Sequence, residues 1–444
     1  MHQSLYPRSD QHSPVTPLVI PRSEHPISRK MIDEEALKVL YRLHRHGYLA
    51  YLVGGSVRDL LLGRVPKDFD VATNAHPNEI NSLFRNSRII GRRFRLTHVF
   101  FKGGKIVEVS TFRSRSEFEE VEGENGEIIR KDSFGTPEED ALRRDITING
   151  LFYNIADFSI IDYVGGMADL RQKIIRTIGD PDERFQQDPV RMIRVLRHAS
   201  RTGFSIEEPT YHAIFCHRDE IQKCSPSRIR DEFLRDLKEG GAQPSLQFML
   251  ETGLLFSLFP NLYRVYGDRS PKKEQNRKLF LSLFGLVDQL VKKNGSVPEP
   301  ILLSLFMTPF LQAITPNHAF LGERERALYR IQTVRLALHQ ILVPFSFPKE
   351  AKETAFQILS IQPNLERAIL RGGVPKRLRM RKYFKEAVLL YGISAEAKGE
   401  RVSPILRNAV PSDLLPWWPK REEPPRRGFR FFRKRRRRRR SVRG

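Results

Sequence analysis

A double glycine followed closely by two aspartates is the feature that most constrains this chain. Residues 52–70 have the sequence LVGGSVRDLLLGRVPKDFD. The apolar run 48–53 predicts a buried strand, Gly54 and Gly55 interrupt it, and residues 56–62 predict a short helix. Glycine allows close approach of the backbone to a ligand, and the free N–H groups of a helix start attract phosphate. For the glycine pair alone, a plain tight turn remains the alternative.

Two aspartates strengthen the case for a phosphate site. The alternation over residues 68–72 predicts a strand, on which Asp68 and Asp70 face the same side. Neighbouring carboxylates repel each other unless a cation lies between them, and Mg²⁺ binds one or two carboxylates together with phosphate oxygens. Arg58, on the first turn of the predicted helix, is placed to pair with a phosphate. We interpret the aspartates as a metal site, and a solvated strand face is the alternative.

The remaining sequence divides into regions of different pattern. We predict a disordered leader over residues 1–31, an α/β head with a small mixed sheet over 32–165, a helical neck over 166–240, an all-α body over 241–400, and a disordered Pro-rich and Arg-rich tail over 401–444. Within the head, the polar stretch 113–133 is expected to be mobile. Thr136, Pro137 and Glu139 form a capping-box pattern, which predicts a helix that ends near Arg143.

The charge of the chain indicates a polyanionic partner. Lysine and arginine exceed aspartate and glutamate by 24, and residues 420–444, with 14 basic and 2 acidic side chains, supply half of this excess. Cys216 and Cys224 do not have zinc-site spacing, so we expect reduced thiols and a cytoplasmic protein. No run of about 18 apolar residues is present, so no membrane span is predicted.

Several motifs together carry a resemblance to a known family. They are Gly54-Gly55 with Arg58, the Asp68-x-Asp70 pair, Arg143-Arg144-Asp145 before Thr147-Ile148-Asn149, Asp162-Tyr163, Gly165 to Leu170, and Asp188-Pro189-Val190-Arg191 with Arg194. In this order they resemble the class II tRNA CCA-adding enzyme and bacterial poly(A) polymerase family. The resemblance covers about residues 32–260 and extends more weakly into the helical remainder.

The resemblance implies a polymerase-β-like nucleotidyltransferase with defined site residues. It implies catalytic roles for Asp68, Asp70 and Asp145, Mg²⁺ at Asp68 and Asp70 in a two-metal site, ATP as substrate, and nucleotide contacts from Gly54, Gly55, Arg58, Arg144, Asp188, Arg191 and Arg194. Each assignment has a simpler alternative. Asp188 could be a helix N-cap, Arg191 and Arg194 could form surface salt bridges, and Asp145 could neutralise its arginine neighbours. Glu108 could be a third metal ligand or a cross-strand partner of a base.

Two further features favour the poly(A) polymerase branch. Residues 89–99 resemble its arginine-rich version of this segment, and the tail interleaves phenylalanines with arginines, a composition suited to single-stranded RNA. The predicted RNA contacts are Arg92, Arg93, Arg435, Arg436, Arg437 and Arg438. We therefore expect a template-independent enzyme that adds AMP to RNA 3′ ends largely without regard to sequence. A tRNA CCA-adding enzyme and a non-catalytic RNA-binding protein are the alternatives, and protein partners stay open.

Overall fold

The computed structural model describes residues 16–91, 95–122, 128–268, 270–315, 322–342 and 345–400. The predicted RNA contacts at Arg92 and Arg93 and those in the tail lie outside these ranges. The described chain consists of a mixed sheet with short helices, followed from residue 181 by helices with almost no further strands. This confirms the predicted α/β head and all-α body.

The head is built on one eight-stranded sheet, in the order β1-β10-β9-β2-β3-β6-β5-β4. Its strands are β1 Leu18–Ile20, β2 Ala50–Val53, β3 Asp70–Thr73, β4 Ser87–Ile90, β5 Leu96–Phe100, β6 Ile106–Thr111, β9 Leu151–Asn154 and β10 Ile160–Asp162. Only the β3–β6 pair is parallel among these neighbours. Two smaller sheets pair β7 Arg113–Glu122 with β8 Ile128–Phe134, and β11 Ile174–Ile175 with β12 Ser205–Ile206. The stretch 113–133, which the sequence predicts to be mobile, thus contains two paired strands, β7 and most of β8.

The predicted disordered leader is corrected for its second half. Strand β1 pairs with β10 at the edge of the head sheet. Ile20 is 3% exposed and Ile27 is fully buried, and the His25 ring lies 2.9 Å from the carbonyl oxygen of Phe158. These isolated apolar anchors are spaced among prolines, so they form no periodic pattern that would reveal them in the sequence.

Helices cover both faces of the head sheet and define two separate cores. The helices are α1 Glu34–Arg45, α2 Gly55–Leu61, α3 Pro77–Leu83, α4 Pro137–Leu142 and α5 Gly166–Gln172. On one face, Leu40 and Leu43 of α1 pack with Val71 and Val109. On the other, Ala72 packs with Ala141 of α4. Because residues two apart on a strand share a face, Asp70 belongs to the α4 face with Ala72.

The neck and body share one apolar core. Their helices are α6 Pro181–Gln187, α7 Val190–Thr202, α8 Glu208–His217, α9 Pro226–Lys238, α10 Ala242–Glu251, α11 Leu254–Leu258, α12 Tyr263–Tyr266, α13 Pro271–Asn294, α14 Glu299–Ile314, α15 Glu323–Leu342, α16 Lys349–Leu370, α17 Lys376–Arg379 and α18 Phe384–Ala397. The core runs from Ile146 of the head to Ile393 of α18. None of the helices in the described ranges is long and apolar enough to cross a membrane. Cys216 and Cys224 are free thiols.

Candidate nucleotidyl-transfer site

The glycine turn lies between β2 and α2, as the sequence predicts. Gly54 adopts φ 72°, a left-handed backbone that residues with a Cβ rarely take. A Cβ on Gly54 would lie 3.2 Å from Nη1 of Arg144, so the glycine also makes room for that guanidinium. Gly55 begins α2. The turn therefore brings the backbone of Gly54 against a predicted nucleotide-binding arginine.

The two predicted metal ligands lie at the start of β3, and both are exposed to solvent. The strand begins at Asp70, and Asp68 precedes it rather than lying on it as predicted. Surrounding protein, followed by the charge of Glu108, raises the pKa of Asp70 to about 6, with a smaller contribution from Asp68 and opposition from Arg144. Burial and the two neighbouring carboxylates together thus outweigh the effect of Arg144 on Asp70.

Glu108 lies beside this pair on the same sheet face. The parallel register aligns Val71 with Val109, which places Asp70 next to Glu108 on adjacent strands. On its other side Glu108 faces His98 of β5, with 3.4 Å between Oε1 and Nε2. The cross-strand partnership with a base is therefore present. In the described part of the chain, no three His, Cys, Asp or Glu side chains are grouped closely enough to hold a metal by themselves.

Arg144 is fixed at the wall of the site by the helix that precedes it. The predicted capping box is formed, with Thr136 Oγ1 accepting from the Glu139 amide at 3.2 Å. One turn later Asp140 accepts two hydrogen bonds from Arg144, at 2.8 and 3.2 Å. The guanidinium also lies over the ring of Phe152, 5.2 Å from its centroid. This cation is held in place near Asp70.

Arg58 has a different environment from the one predicted. Its side chain is buried, and its guanidinium donates to Asp59 at 2.8 Å and to Asn149 Oδ1 at 2.8 Å. It also lies 3.3 Å from Nδ1 of His198 on α7. In this arrangement Arg58 joins the head to the neck, and it would have to leave these partners to bind a phosphate.

Asp145 pairs with two arginines of α7. Its Oδ1 lies 3.2 Å from Nε of Arg191, and its Oδ2 accepts from Arg194 at 2.9 Å. Arg194 also binds Glu232 of α9 at 2.8 Å. Burial opposes the charge of Arg194, but Asp145 and Glu232 outweigh it and raise the pKa of this guanidinium. The simpler role considered for Asp145, to neutralise basic side chains, is thus present, although its partners are on α7.

The ion pairs continue along α7 into the helical neck. Arg197 binds Glu232 at 2.5 Å and Asp236 at 3.2 Å, and Ser245 donates to Asp236 at 2.7 Å. We call the six charged residues Asp145, Arg191, Arg194, Glu232, Arg197 and Asp236 the neck ladder. The predicted arginines therefore form inward-facing ion pairs and not the surface salt bridges considered as the alternative.

Asp188 retains one buried polar atom without a hydrogen-bond partner, and Arg191 retains two. Asp188 does not cap α7, because its Oδ2 instead accepts from Arg228 at 2.6 Å. Among the described residues, Asp188 Oδ1 and both Nε and Nη1 of Arg191 have no hydrogen-bond partner, although all three atoms are buried. A buried polar atom without a partner costs about 1–3 kcal/mol. One unsatisfied acceptor and two unsatisfied donors are thus left three residues apart at the start of α7.

Several residues that shape the site were not predicted. The carboxylate of Asp162 accepts from the amides of Val164, Gly166 and Met167 at 2.9–3.0 Å. A Cβ on Gly166 would lie 2.3 Å from the Thr147 carbonyl oxygen, so only glycine fits there. Motif spacing marks these positions but not their roles. Glu232 has no such signal, because it meets Arg194 from 38 residues away.

Comparison with known proteins places this geometry in a family. Residues 50–176 match the family described as "Poly A polymerase head domain", and residues 203–265 match "Probable RNA and SrmB- binding site of polymerase A". The chain is 26% identical to a solved structure titled "Crystal structure of Bacillus stearothermophilus CCA-adding enzyme in complex with CTP", with a TM-score of 0.61 over 86% of this chain and 82% of that one.

Curated relatives agree with both branches of the resemblance. A poly(A) polymerase I of Salmonella typhi is 44% identical over 66% of this chain, and the match spans 64% of that protein. A CCA-adding enzyme of Bacillus velezensis is 37% identical over 50% of this chain and 55% of its own length. A poly(A) polymerase I of Escherichia coli O6:H1 is 37% identical over 90% of this chain and 84% of its own length. The chain belongs to the poly(A) polymerase I family of nucleotidyltransferases.

Proposed function

We propose that this protein is a template-independent polynucleotide adenylyltransferase that adds AMP from ATP to RNA 3′ ends. The observation that carries the proposal is the unsatisfied pair of Asp188 Oδ1 and Arg191 Nη1. Both atoms are buried, and both belong to the helix start that is tied to Asp145 of the head. A nucleotide base is a planar ligand with a donor and an acceptor on one edge, as this pair requires.

The pair distinguishes between classes of base. A carboxylate oxygen only accepts hydrogen bonds and a guanidinium only donates them. Adenine and cytosine each present an amino group beside a ring nitrogen that accepts, which complements Asp188 and Arg191. Guanine and uracil present the opposite order and would leave both side chains mismatched. The choice of adenine over cytosine is supported by the poly(A) polymerase I relatives, which match more of this chain than the CCA-adding enzyme does.

Asp68 and Asp70 fit a magnesium site. They offer two solvent-accessible carboxylates with unbalanced negative charge, and Mg²⁺ takes few protein ligands and completes its shell with water and phosphate oxygens. When bound, the ion would neutralise charge on the triphosphate and make the RNA 3′-hydroxyl more acidic. Arg144, held by Asp140, would add a fixed positive charge at the site wall. In the reaction the 3′-hydroxyl loses its proton to the surrounding water, its oxygen bonds to the α-phosphorus of ATP, and the bond from that phosphorus to the pyrophosphate leaving group breaks.

RNA contacts are proposed from charge and from the family match. The matched RNA-binding region, residues 203–265, includes α9, which contributes Glu232 to the neck ladder. The basic residues Arg92, Arg93, Arg435, Arg436, Arg437 and Arg438 stay proposals for sequence-independent binding to phosphates. The bacterial relatives support the cytoplasm as the location of the protein.

The decisive test supplies each nucleoside triphosphate separately. Purified protein, Mg²⁺ and an unstructured RNA without any tRNA sequence are incubated with ATP, CTP, GTP or UTP, and the products are resolved on a gel. We expect long extension with ATP and little with the others. Extension restricted to tRNA lacking its 3′ end, with CTP and ATP both required, would assign the chain to the CCA-adding activity instead. Absence of any incorporation would leave only an RNA-binding role.

A further inference from the structure

The head carries an open groove on the sheet face opposite Asp70. It lies between α1, the end of α3 and the end of β5, and its volume is about 1000 Å³. Leu37, Tyr41 and Phe101 form the floor, and each packs on the core beneath α1 while it stays partly exposed. We call this surface the rear groove. None of its residues contributes to the site around Asp70.

Basic side chains from three separate segments surround this floor. Arg42 and Arg45 come from α1, Arg85 follows α3, and Lys102 follows β5. All four are exposed, and none has a carboxylate partner among the residues that the structure describes. The negative end of a helix favours basic residues and accounts for Arg42 and Arg45. This helix-end effect does not explain why Arg85 and Lys102, which lie outside α1, line the same groove.

Two lysines close to these four cations do form ion pairs. Lys105 forms ion pairs with Asp33 and Glu35 at the start of α1, and Lys38 pairs with Glu34 at 2.8 Å. Lys38 and Glu34 also line the rear groove, but Glu34 pairs with Lys38, so the groove holds four arginine and lysine side chains that contact no carboxylate among the described residues. Like charges left together in this way are unfavourable until a polyanion binds.

We propose that the rear groove binds a single-stranded segment of the RNA substrate, upstream of the 3′ end. A basic rim over exposed ring and aliphatic surface is the combination that holds single strands, with phosphates on the cations and bases stacked on the rings. Tyr41 is suited to this role, because Arg29 donates to its hydroxyl at 3.0 Å and holds the ring. The groove faces away from Asp70, so its ligand is neither the incoming nucleotide nor the 3′-terminal residue.

A length dependence follows from this placement. RNA that occupies both Asp70 and the rear groove must pass around the sheet, so only a long strand reaches both. Occupancy of the second site then raises the effective concentration of the 3′ end at the first. This proposal rests on the proposed function, because it takes RNA as the substrate. Its test measures RNA affinity, which can be separated from AMP addition.

The test compares two triple variants of the full chain. Arg45→Ala/Arg85→Ala/Lys102→Ala removes three rim cations, and Lys272→Ala/Lys293→Ala/Lys349→Ala removes three exposed lysines of the body. Affinity is measured by fluorescence anisotropy for unstructured RNAs of about 8 and about 40 nucleotides, the shorter being on the order of one single-strand site. Circular dichroism and thermal melting verify the fold, and AMP addition at saturating RNA verifies the catalytic site.

We expect the variant that lacks the three rim cations to bind the long RNA at least about tenfold more weakly. The slope of its log affinity against log salt concentration should be shallower by about 2, because each lost phosphate contact contributes about 0.7. Its affinity for the short RNA, which cannot reach both sites at once, should fall less, and its rate of single addition should equal that of the wild type. In the wild type, photo-cross-linking of a long thiouridine-containing RNA should label the peptide that contains Tyr41. Equal losses in both variants, or labelling that excludes α1 and Phe101, would overturn the proposal. Failure of the wild type to add AMP would instead contradict the proposed function.

Discussion

The head site and the neck ladder both concentrate charge, but they balance it differently. In the head, burial raises the pKa of Asp70 to about 6, with further contributions from the charges of Glu108 and Asp68 and with opposition from Arg144. In the neck ladder, three acids and three arginines alternate through contacts of 2.5–3.2 Å. In the head, Arg144 is the arginine near Asp70 and it is already bound by Asp140, whereas each acid of the neck ladder contacts at least one arginine.

This difference separates residues that meet a ligand from residues that hold others in place. Burying a charge is costly unless it is paired. Unbalanced carboxylates at a solvent-accessible site therefore indicate a cation supplied from outside, whereas complete pairing indicates a structural element. Arg191 lies at the boundary, since its Nε is near Asp145 while its Nη1 has no described partner. We accordingly expect substitutions in the two regions to affect different measurable quantities.

The largest effect on activity should follow Asp70→Asn. The substitution keeps the size of the side chain and removes the charge that a cation requires, so AMP incorporation should fall by about a thousandfold. Stability should be unchanged or slightly higher, because the folded protein disfavours the charged form of Asp70. Incorporation and thermal melting are measured side by side, with Glu183→Gln at an exposed position of α6 as the control. Full incorporation at saturating Mg²⁺ would refute the ligand assignment.

Substitutions in the neck ladder should instead lower the stability of the fold. Glu232→Gln leaves Arg194 and Arg197 without their shared carboxylate, and removal of one partner of a buried ion pair costs about 3 kcal/mol. Urea unfolding should report this loss. Glu239→Gln removes the partner of Arg201 at the end of α9, where the pair is partly exposed, and should cost less than about 1 kcal/mol. Equal costs for the two variants would show that the ladder is not a structural element.

Arg191→Ala should change nucleotide selection more than stability. Removal of Nη1 deletes the proposed donor to the base, and about 1–3 kcal/mol corresponds to roughly tenfold to a hundredfold loss of discrimination. The measurement is the ratio of kcat/KM for ATP to that for GTP. Arg194→Ala is the matched comparison, because its contacts are to Asp145 and Glu232, and it should reduce stability more and discrimination less. The reverse pattern would assign base recognition to Arg194.

The smallest effect concerns the pH dependence of stability. Burial raises the pKa of Asp236 to about 7, with Arg197 and Ser245 opposing the shift and Glu232 adding to it. Because the folded pKa exceeds the unfolded one, the folded state holds the extra proton, and stability declines as pH rises from about 4 to 7. Asp236→Asn should therefore become less destabilising relative to wild type across this interval in urea unfolding. A cost that grows with pH would contradict the direction of the shift.

Local patterns predicted the fold class and the arrangement around β3, because these depend on neighbours in sequence. The strand, glycine turn and helix at residues 50–61 and the capping box at Thr136 follow from backbone and capping preferences. Long-range partners were not predictable from such preferences. Glu232 meets Arg194 across 38 residues, and Arg58 meets Asn149 across 91, so neither pairing leaves a periodic signal. The strand β1 was missed for the same reason.

The most direct test of the central claim is ion binding at the unbalanced carboxylates of the head. Mn²⁺, as a spectroscopic substitute for Mg²⁺, is titrated into the protein without nucleotide while the electron paramagnetic resonance signal of the free ion is recorded. We predict uptake by the wild type and by Asp145→Asn, whose carboxylate is engaged by Arg191 and Arg194. Asp68→Asn/Asp70→Asn should take up much less. Equal uptake by the double variant and the wild type, or none by the wild type, would contradict the assignment of Asp68 and Asp70 as the metal ligands.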